Sequence, residues 1–111
     1  MEDQYKEEYT SNVRFYYKNG LYHRDNDLPA IIADNGSKHW FINGKRHRIG
    51  NPAVMYSTGS QIWYFDDVMH REDGPAYIIP NVNDRWYFRG KRIHCSNLKE
   101  FKRLVDLLVF I

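Results

Sequence analysis

Three His-Arg pairs hold the residues of this chain best suited to chemistry: His23-Arg24, His47-Arg48 and His70-Arg71. The third opens "HREDGPAYII" (70 to 79), where Glu72 and Asp73 follow at once. An imidazole oriented by a carboxylate is the arrangement of a general base. Three histidines are also a ligand complement that zinc accepts. Yet the same stretch is written as "HRDNDLPAII" at 23 to 32 and as "HRIGNPAVM" at 47 to 55. A catalytic site usually breaks repeat symmetry, and His70 keeps it. No Ser or Cys stands out as its nucleophile. Cys95 follows His94 directly, but sequence neighbours do not make a dyad. The expectation is no catalytic residue. Each His or Arg is expected to bond turn backbone or an acid of the neighbouring unit.

The elements that position these pairs are repeats. "YYKNGLYHR" starts at Tyr16, "WFINGKRHR" at Trp40, "WYFDDVMHR" at Trp63 and "WYFRGKRIH" at Trp86. Pro29-Ala30, Pro52-Ala53 and Pro75-Ala76 keep the same period, and Pro29, Pro52 and Pro75 are read as structural positions with His23, His47 and His70. Between each Ala and the next aromatic pair falls a turn: "DNGS" at 34 to 37, "STGS" at 57 to 60, and "NVND" at 81 to 84, where Val82 replaces Gly. Each unit reads as two short strands, "AIIAD" then "HWFI" in the first case. A second turn, Asn-Gly at 19-20 and 43-44, ends the second strand, and Asp66-Asp67 stands in its place in the third unit. Asp tolerates left-handed backbone better than most residues. The predicted fold is all-β: an antiparallel β-meander of about three and a half 23-residue hairpin repeats with a C-terminal capping helix. Residues 1–12 form an acidic N-terminal segment, 13–95 the array and 96–111 the helix. In the helix, Asn97 and Glu100 fit a capping box. Leu98, Phe101, Leu104, Val105 and Leu108 form an apolar stripe, and Leu107, Phe110 and Ile111 widen it. That surplus fits deep burial or a homodimer contact through the helix.

Such a meander argues against a metal centre. Equivalent residues lie two strands apart, roughly 10 Å at the usual strand spacing, while a zinc ligand lies about 2 Å from its ion. No metal or other cofactor is expected. The glycines mark hairpin turns, not a strand-to-helix phosphate loop.

These units resemble MORN repeats (membrane occupation and recognition nexus). More closely they resemble a variant with the pattern W-Y-x-N-G-x-x-H-R-x-x-G-P-A, of large DNA viruses, phages and some bacteria. The resemblance covers residues 16 to about 94. Unit one lacks Trp, unit three lacks Asn-Gly, and in unit four the His comes one place late, at His94. The resemblance implies stacked antiparallel hairpins and a binding or scaffold role without catalysis. Its setting implies a small viral or prophage protein that binds or inhibits a host protein, such as a defence enzyme.

Two surfaces are candidates for a partner. Alternation places Phe41, Tyr64 and Tyr87 opposite the face shared by Trp40 and Ile42, Trp63 and Phe65, Trp86 and Phe88. A single-layer sheet leaves one aromatic face partly open, and a protein partner is the expected occupant. The other candidate is basic. "GKRHR" and "GKRIH" bring Lys45, Arg46 and Arg48 to one edge with Arg89, Lys91 and Arg92, where nucleic acid is the alternative partner. Asp66, Asp67 and Met69 interrupt that edge. The net charge of +2 hides a −3 in residues 1–10, so the remainder carries +5, modest for a nucleic-acid binder. No apolar run is long enough to span a membrane. "MEDQYKEEYT" is unlike a secretory leader. With a single cysteine, Cys95, the expected setting is intracellular, cytoplasmic and reducing.

Overall fold

The computed structural model describes residues 2–109. It is an antiparallel meander of fourteen short strands followed by one helix. The strands are β1 (Tyr5–Thr10), β2 (Val13–Lys18), β3 (Leu21–Tyr22), β4 (Ile31–Ala33), β5 (Lys38–His39), β6 (Phe41–Ile42), β7 (Lys45–Arg46), β8 (Val54–Met55), β9 (Gln61–Ile62), β10 (Tyr64–Phe65), β11 (Val68–Met69), β12 (Tyr77–Ile78), β13 (Trp86–Phe88) and β14 (Lys91–Ile93). The helix α1 is Leu98–Val109.

One long sheet runs β1-β2-β4-β5-β8-β9-β12, with β3 beside the far end of β2. Three lateral hairpins, β6-β7, β10-β11 and β13-β14, stand off it. The second strand of a unit is therefore not continuous as expected. It breaks at Trp40 and Trp63, for a reason visible in the backbone. The Trp40 N–H donates to Ala53 O at 2.7 Å, in the sheet, while Trp40 O accepts from His47 N at 3.2 Å, in the hairpin. Trp63 repeats this with Ala76 O at 2.8 Å and His70 N at 3.2 Å. Each Trp is a corner whose two backbone groups serve two different sheets. Ala53 and Ala76, which the corners bond, and Ala30, which takes the Tyr16 N–H at 2.7 Å, are wholly buried, and a larger side chain has no room there.

The turns follow φ chemistry. Between lateral strands both loop residues are left-handed: Asn43 at +48° with Gly44 at +82°, and Asp66 at +46° with Asp67 at +66°. Two-residue hairpin loops of this hand match the strand twist. Within the long sheet, Gly36 and Gly59 take the single left-handed position of a longer loop. In the third unit Val82 does not assume it; Asn81 does, at +62°. Asn enters that region readily and a β-branched residue does not.

The acidic segment 1–12 is more than a tail. Its residues 5–10 pair along their whole length with β2, Tyr5 opposite Lys18 and Thr10 opposite Val13. Glu7, Glu8 and Lys6 on this edge strand disfavour edge-to-edge association.

The helix closes the other end. Asn97 Oδ1 accepts the Glu100 N–H at 2.9 Å, the expected cap. Phe101 is buried against Trp86, Phe88 and Ile93, with Cys95, Leu104, Val105 and Leu108 around them. Leu107 faces outward, 53% exposed. Phe110 and Ile111 lie outside the described residues. Among the described residues no helix is long and apolar enough to cross a membrane.

Candidate functional site

The His-Arg motif is consumed by the scaffold. His23 Nδ1 accepts the Asn43 N–H at 2.9 Å, His47 Nδ1 the Asp66 N–H at 3.2 Å, and His70 Nδ1 the Arg89 N–H at 2.8 Å. Each imidazole thus holds the turn of the next unit. The following turn residue donates too: Gly44 N to Tyr22 O, Asp67 N to Arg46 O and Gly90 N to Met69 O, at 2.8, 2.8 and 2.9 Å. Arg24, Arg48 and Arg71 lie flat over Tyr16, Trp40 and Trp63, with guanidinium carbons 3.8, 3.9 and 3.9 Å from the ring centres. Each also donates to the carbonyl of its own unit's proline, Pro29, Pro52 or Pro75, at 3.3, 3.1 and 3.0 Å. One residue pair therefore ties a ring, a proline loop and the next unit's turn together. Arg48 reaches Asp27 in the one-residue-longer loop of unit one, and holds that carboxyl below the usual carboxylate range. Arg71 does the same to Asp73 within its own unit.

The Asp66-Asp67 departure is explained by the same contacts. Asp67 Oδ1 accepts the Arg46 N–H at 2.7 Å. That carboxylate adds a bond across the unit boundary that Asn-Gly lacks.

The lateral hairpins carry the candidate partner residues, and their register sorts them. Residues directly opposite in an antiparallel pair share a face. Tyr17 opposes Tyr22, Phe41 opposes Arg46, Tyr64 opposes Met69 and Tyr87 opposes Arg92. These pairs form one face. Lys18 with Leu21, Ile42 with Lys45, Phe65 with Val68 and Phe88 with Lys91 form the other. The six basic candidates therefore do not form one edge. Arg46 and Arg92 join the aromatic face, Lys45 and Lys91 point to its reverse, Arg89 is a turn residue over the Phe88 ring, and Arg48 belongs to the scaffold.

Rings run continuously along the first face. Tyr17 and Tyr22 are 5.3 Å apart between centres, Tyr22 and Phe41 5.2 Å. The Arg46 guanidinium then sits 5.2 Å from Phe41 and 5.7 Å from Tyr64. Phe41, expected at a partner surface, is buried to 6% exposure and forms the floor. Tyr64 and Tyr87 remain half-buried. The larger apolar exposure lies on the reverse face, where Phe65 is 51% exposed. In unit four the equivalent Phe88 is covered by α1.

Sequence reading did not single out His39, on which the Arg46 charge acts, nor Tyr56 and Tyr77, which act on Tyr64. Burial and then the Arg46 charge push the His39 imidazole below its ordinary value. Burial raises the Tyr64 hydroxyl against the pull of Arg46, with Tyr56 and Tyr77 acting on it as well. The missed signal was alternation across the Trp corner, which keeps residue 39 on the side of residue 41. His39 Nδ1 is buried without a hydrogen-bond partner. An imidazole held below its ordinary value contributes stability that is fully present above the unfolded value of about 6.5 and is lost as pH falls from there through the lower folded value. Its proton titration, followed by NMR, is expected to have its midpoint below that of the unfolded chain. In His39→Leu the melting temperature should fall less between pH 7 and pH 5, two points chosen to bracket the ordinary value of about 6.5.

Among the described residues no group of three His, Cys, Asp or Glu side chains converges. Burial pushes the Cys95 thiol up, away from the reactive thiolate. Compared with protein-family models, with curated proteins and with solved structures, the chain matches none.

Proposed function

We propose that this chain is a non-catalytic protein-interaction module whose recognition surface is the hairpin face bearing Arg46, Tyr64, Tyr87 and Arg92. The observation that carries the reading is Arg46: a half-buried guanidinium between two rings, with no carboxylate in ion-pair reach among the described residues. Tyr and Arg on a firm floor are the residues that dominate protein interfaces. The absence of catalysis is supported by the histidines, whose Nδ1 lone pairs are spent on backbone N–H groups. The repeat resemblance extends the proposal to a small viral or prophage protein that binds or inhibits a host protein. A homodimer through α1 is a subsidiary proposal, supported by the outward Leu107 and Val109.

Nucleic acid is the second reading, favoured by the cations at equivalent turns. Against it stands the register, which sends Lys45 and Lys91 to the face opposite Arg46 and Arg92. Affinity capture from host lysate, with and without nuclease, separates the two. One protein retained after nuclease, and weakened about 30-fold or more by Tyr64→Ala, is expected, the size of a hot-spot loss. Nucleic acid recovered and then lost on nuclease treatment would remove the protein reading.

A further inference from the structure

We propose that Arg46 is the seat for an oxyanion carried by an acidic protein segment, with the ring of Tyr64 beside it. The proposal rests on the interaction reading above and names the chemistry of the partner at that face. Arg46 is the only member of its repeat position so placed. The equivalent residues are Tyr22, Met69 and Arg92, and of these only Arg92 is charged and it is exposed. Arg46 is tethered from both sides. Its backbone N–H donates to Asp67 Oδ1 and its carbonyl accepts the Asp67 N–H at 2.8 Å. Its guanidinium plane is left to the rings of Phe41 and Tyr64. A ring-flanked guanidinium is weakly hydrated, and its fork of N–H donors matches the two oxygens of a carboxylate or phosphoryl group. The other motif arginines are already engaged: Arg24, Arg48 and Arg71 each donate to a proline carbonyl. The Arg46 guanidinium makes no such bond among the described residues.

A second observation agrees. The long sheet brings His39, Val54, Ile62 and Tyr77 to one face through successive cross-strand pairs. Tyr56 lies edge-on to His39 at 5.7 Å, and Arg85 lies over the Tyr77 ring at 5.5 Å. The sheet face that carries His39 is thus aromatic, with Arg85 at its Tyr77 end, complementary to an acidic segment with apolar neighbours. A polynucleotide would need cations at phosphate spacing. On the hairpin face the next cation by register is Arg92, two units away, with Met69 between.

The test uses the full chain labelled for NMR. The probes are sodium sulfate, a hexaglutamate peptide, a phosphoserine peptide and an oligouridylate. Expected are saturable shifts of the Arg46 Nε–H and the Tyr64 ring with sulfate and both peptides. The midpoint of His39 should rise, because a bound anion offsets the Arg46 charge that lowers it. Arg46→Gln should weaken peptide binding at least about tenfold, the loss of one charge-assisted pair. Arg46→Lys, which keeps the charge without the fork, should fall between. The tighter peptide identifies carboxylate or phosphoryl as the source. Non-saturating shifts, an undiminished response in Arg46→Gln, or tighter oligouridylate binding with Lys45 and Lys91 in the footprint would each overturn the proposal. If lysate capture survives Arg46→Gln but not Tyr64→Ala, the oxyanion seat fails and the interaction face stands. If it survives both, the face fails too.

Discussion

Phe101→Ala is expected to lower stability by about 3–5 kcal/mol, the cost of truncating a fully buried aromatic and leaving a cavity. A domain of this size has only about 5–15 kcal/mol in total, so a large part of the folded population is at stake. Phe101 is 1% exposed, and its ring centre lies 5.1 Å from that of Trp86. It is the one buried residue of α1, and Trp86, Phe88 and Ile93 of the last hairpin all depend on it for cover. Elsewhere the sheet is a single layer whose apolar residues are mostly half-buried. The end cluster is therefore the densest core the array has, and an open end is what repeat arrays tolerate least. Chemical denaturation followed by the Trp signal measures the loss. Leu107→Ala is the control. That side chain is 53% exposed, so a cost within about half a kcal/mol is expected. Equal losses from the two substitutions would mean that the helix is seated the other way round.

The helix and the repeats were legible because their signals are local. A cap, a stripe and an Asn-Gly each act over a few residues, and their period repeats. The unread features were those that depend on how a strand divides its hydrogen bonds. Trp40 and Trp63 look like ordinary strand residues, yet their N–H and carbonyl groups go to different sheets. That corner overturned the expected exposure of Phe41. Likewise β1 was hidden because Tyr5, Glu7 and Tyr9 alternate with charges and no apolar face announces a strand; its partner, β2, supplies what it lacks. The candidate site was half legible. Phe41, Tyr64, Tyr87, Arg46 and Arg92 were all singled out, but as two rival surfaces. Only cross-strand register shows that these five share one face and that Lys45, Lys91, Arg48 and Arg89 do not.

Arg48→Ala is expected to cost about 2–3 kcal/mol, and Arg48→Lys to recover only part of that although it keeps the charge. The larger share is the donor lost to the Pro52 carbonyl, a charged hydrogen bond of about 1.5–3 kcal/mol. Stacking over Trp40 adds about 0.5–1 kcal/mol. The Asp27 contact contributes little, since that carboxylate is 57% exposed and salt screens it. One guanidinium serves all three at once: its face on the indole at 3.9 Å, Nη1 on Pro52 O at 3.1 Å, and Nε on Asp27 at 2.8 Å. A lysine ammonium is a point charge on a flexible stem and holds one of these at a time. The pH dependence provides an independent reading. Asp27 is held below its ordinary value by Arg48. Its share of stability is therefore present above the unfolded carboxylate value, about 3.9, and lost as pH falls through the folded one. In Arg48→Lys the Asp27 midpoint should move up towards the unfolded value, and the acid limb of the stability curve should flatten accordingly. A lysine variant as stable as the parent would show that charge alone sufficed. The recurrence of Arg at 24, 48 and 71 would then need a reason other than the ring, the proline carbonyl and the fork that joins them.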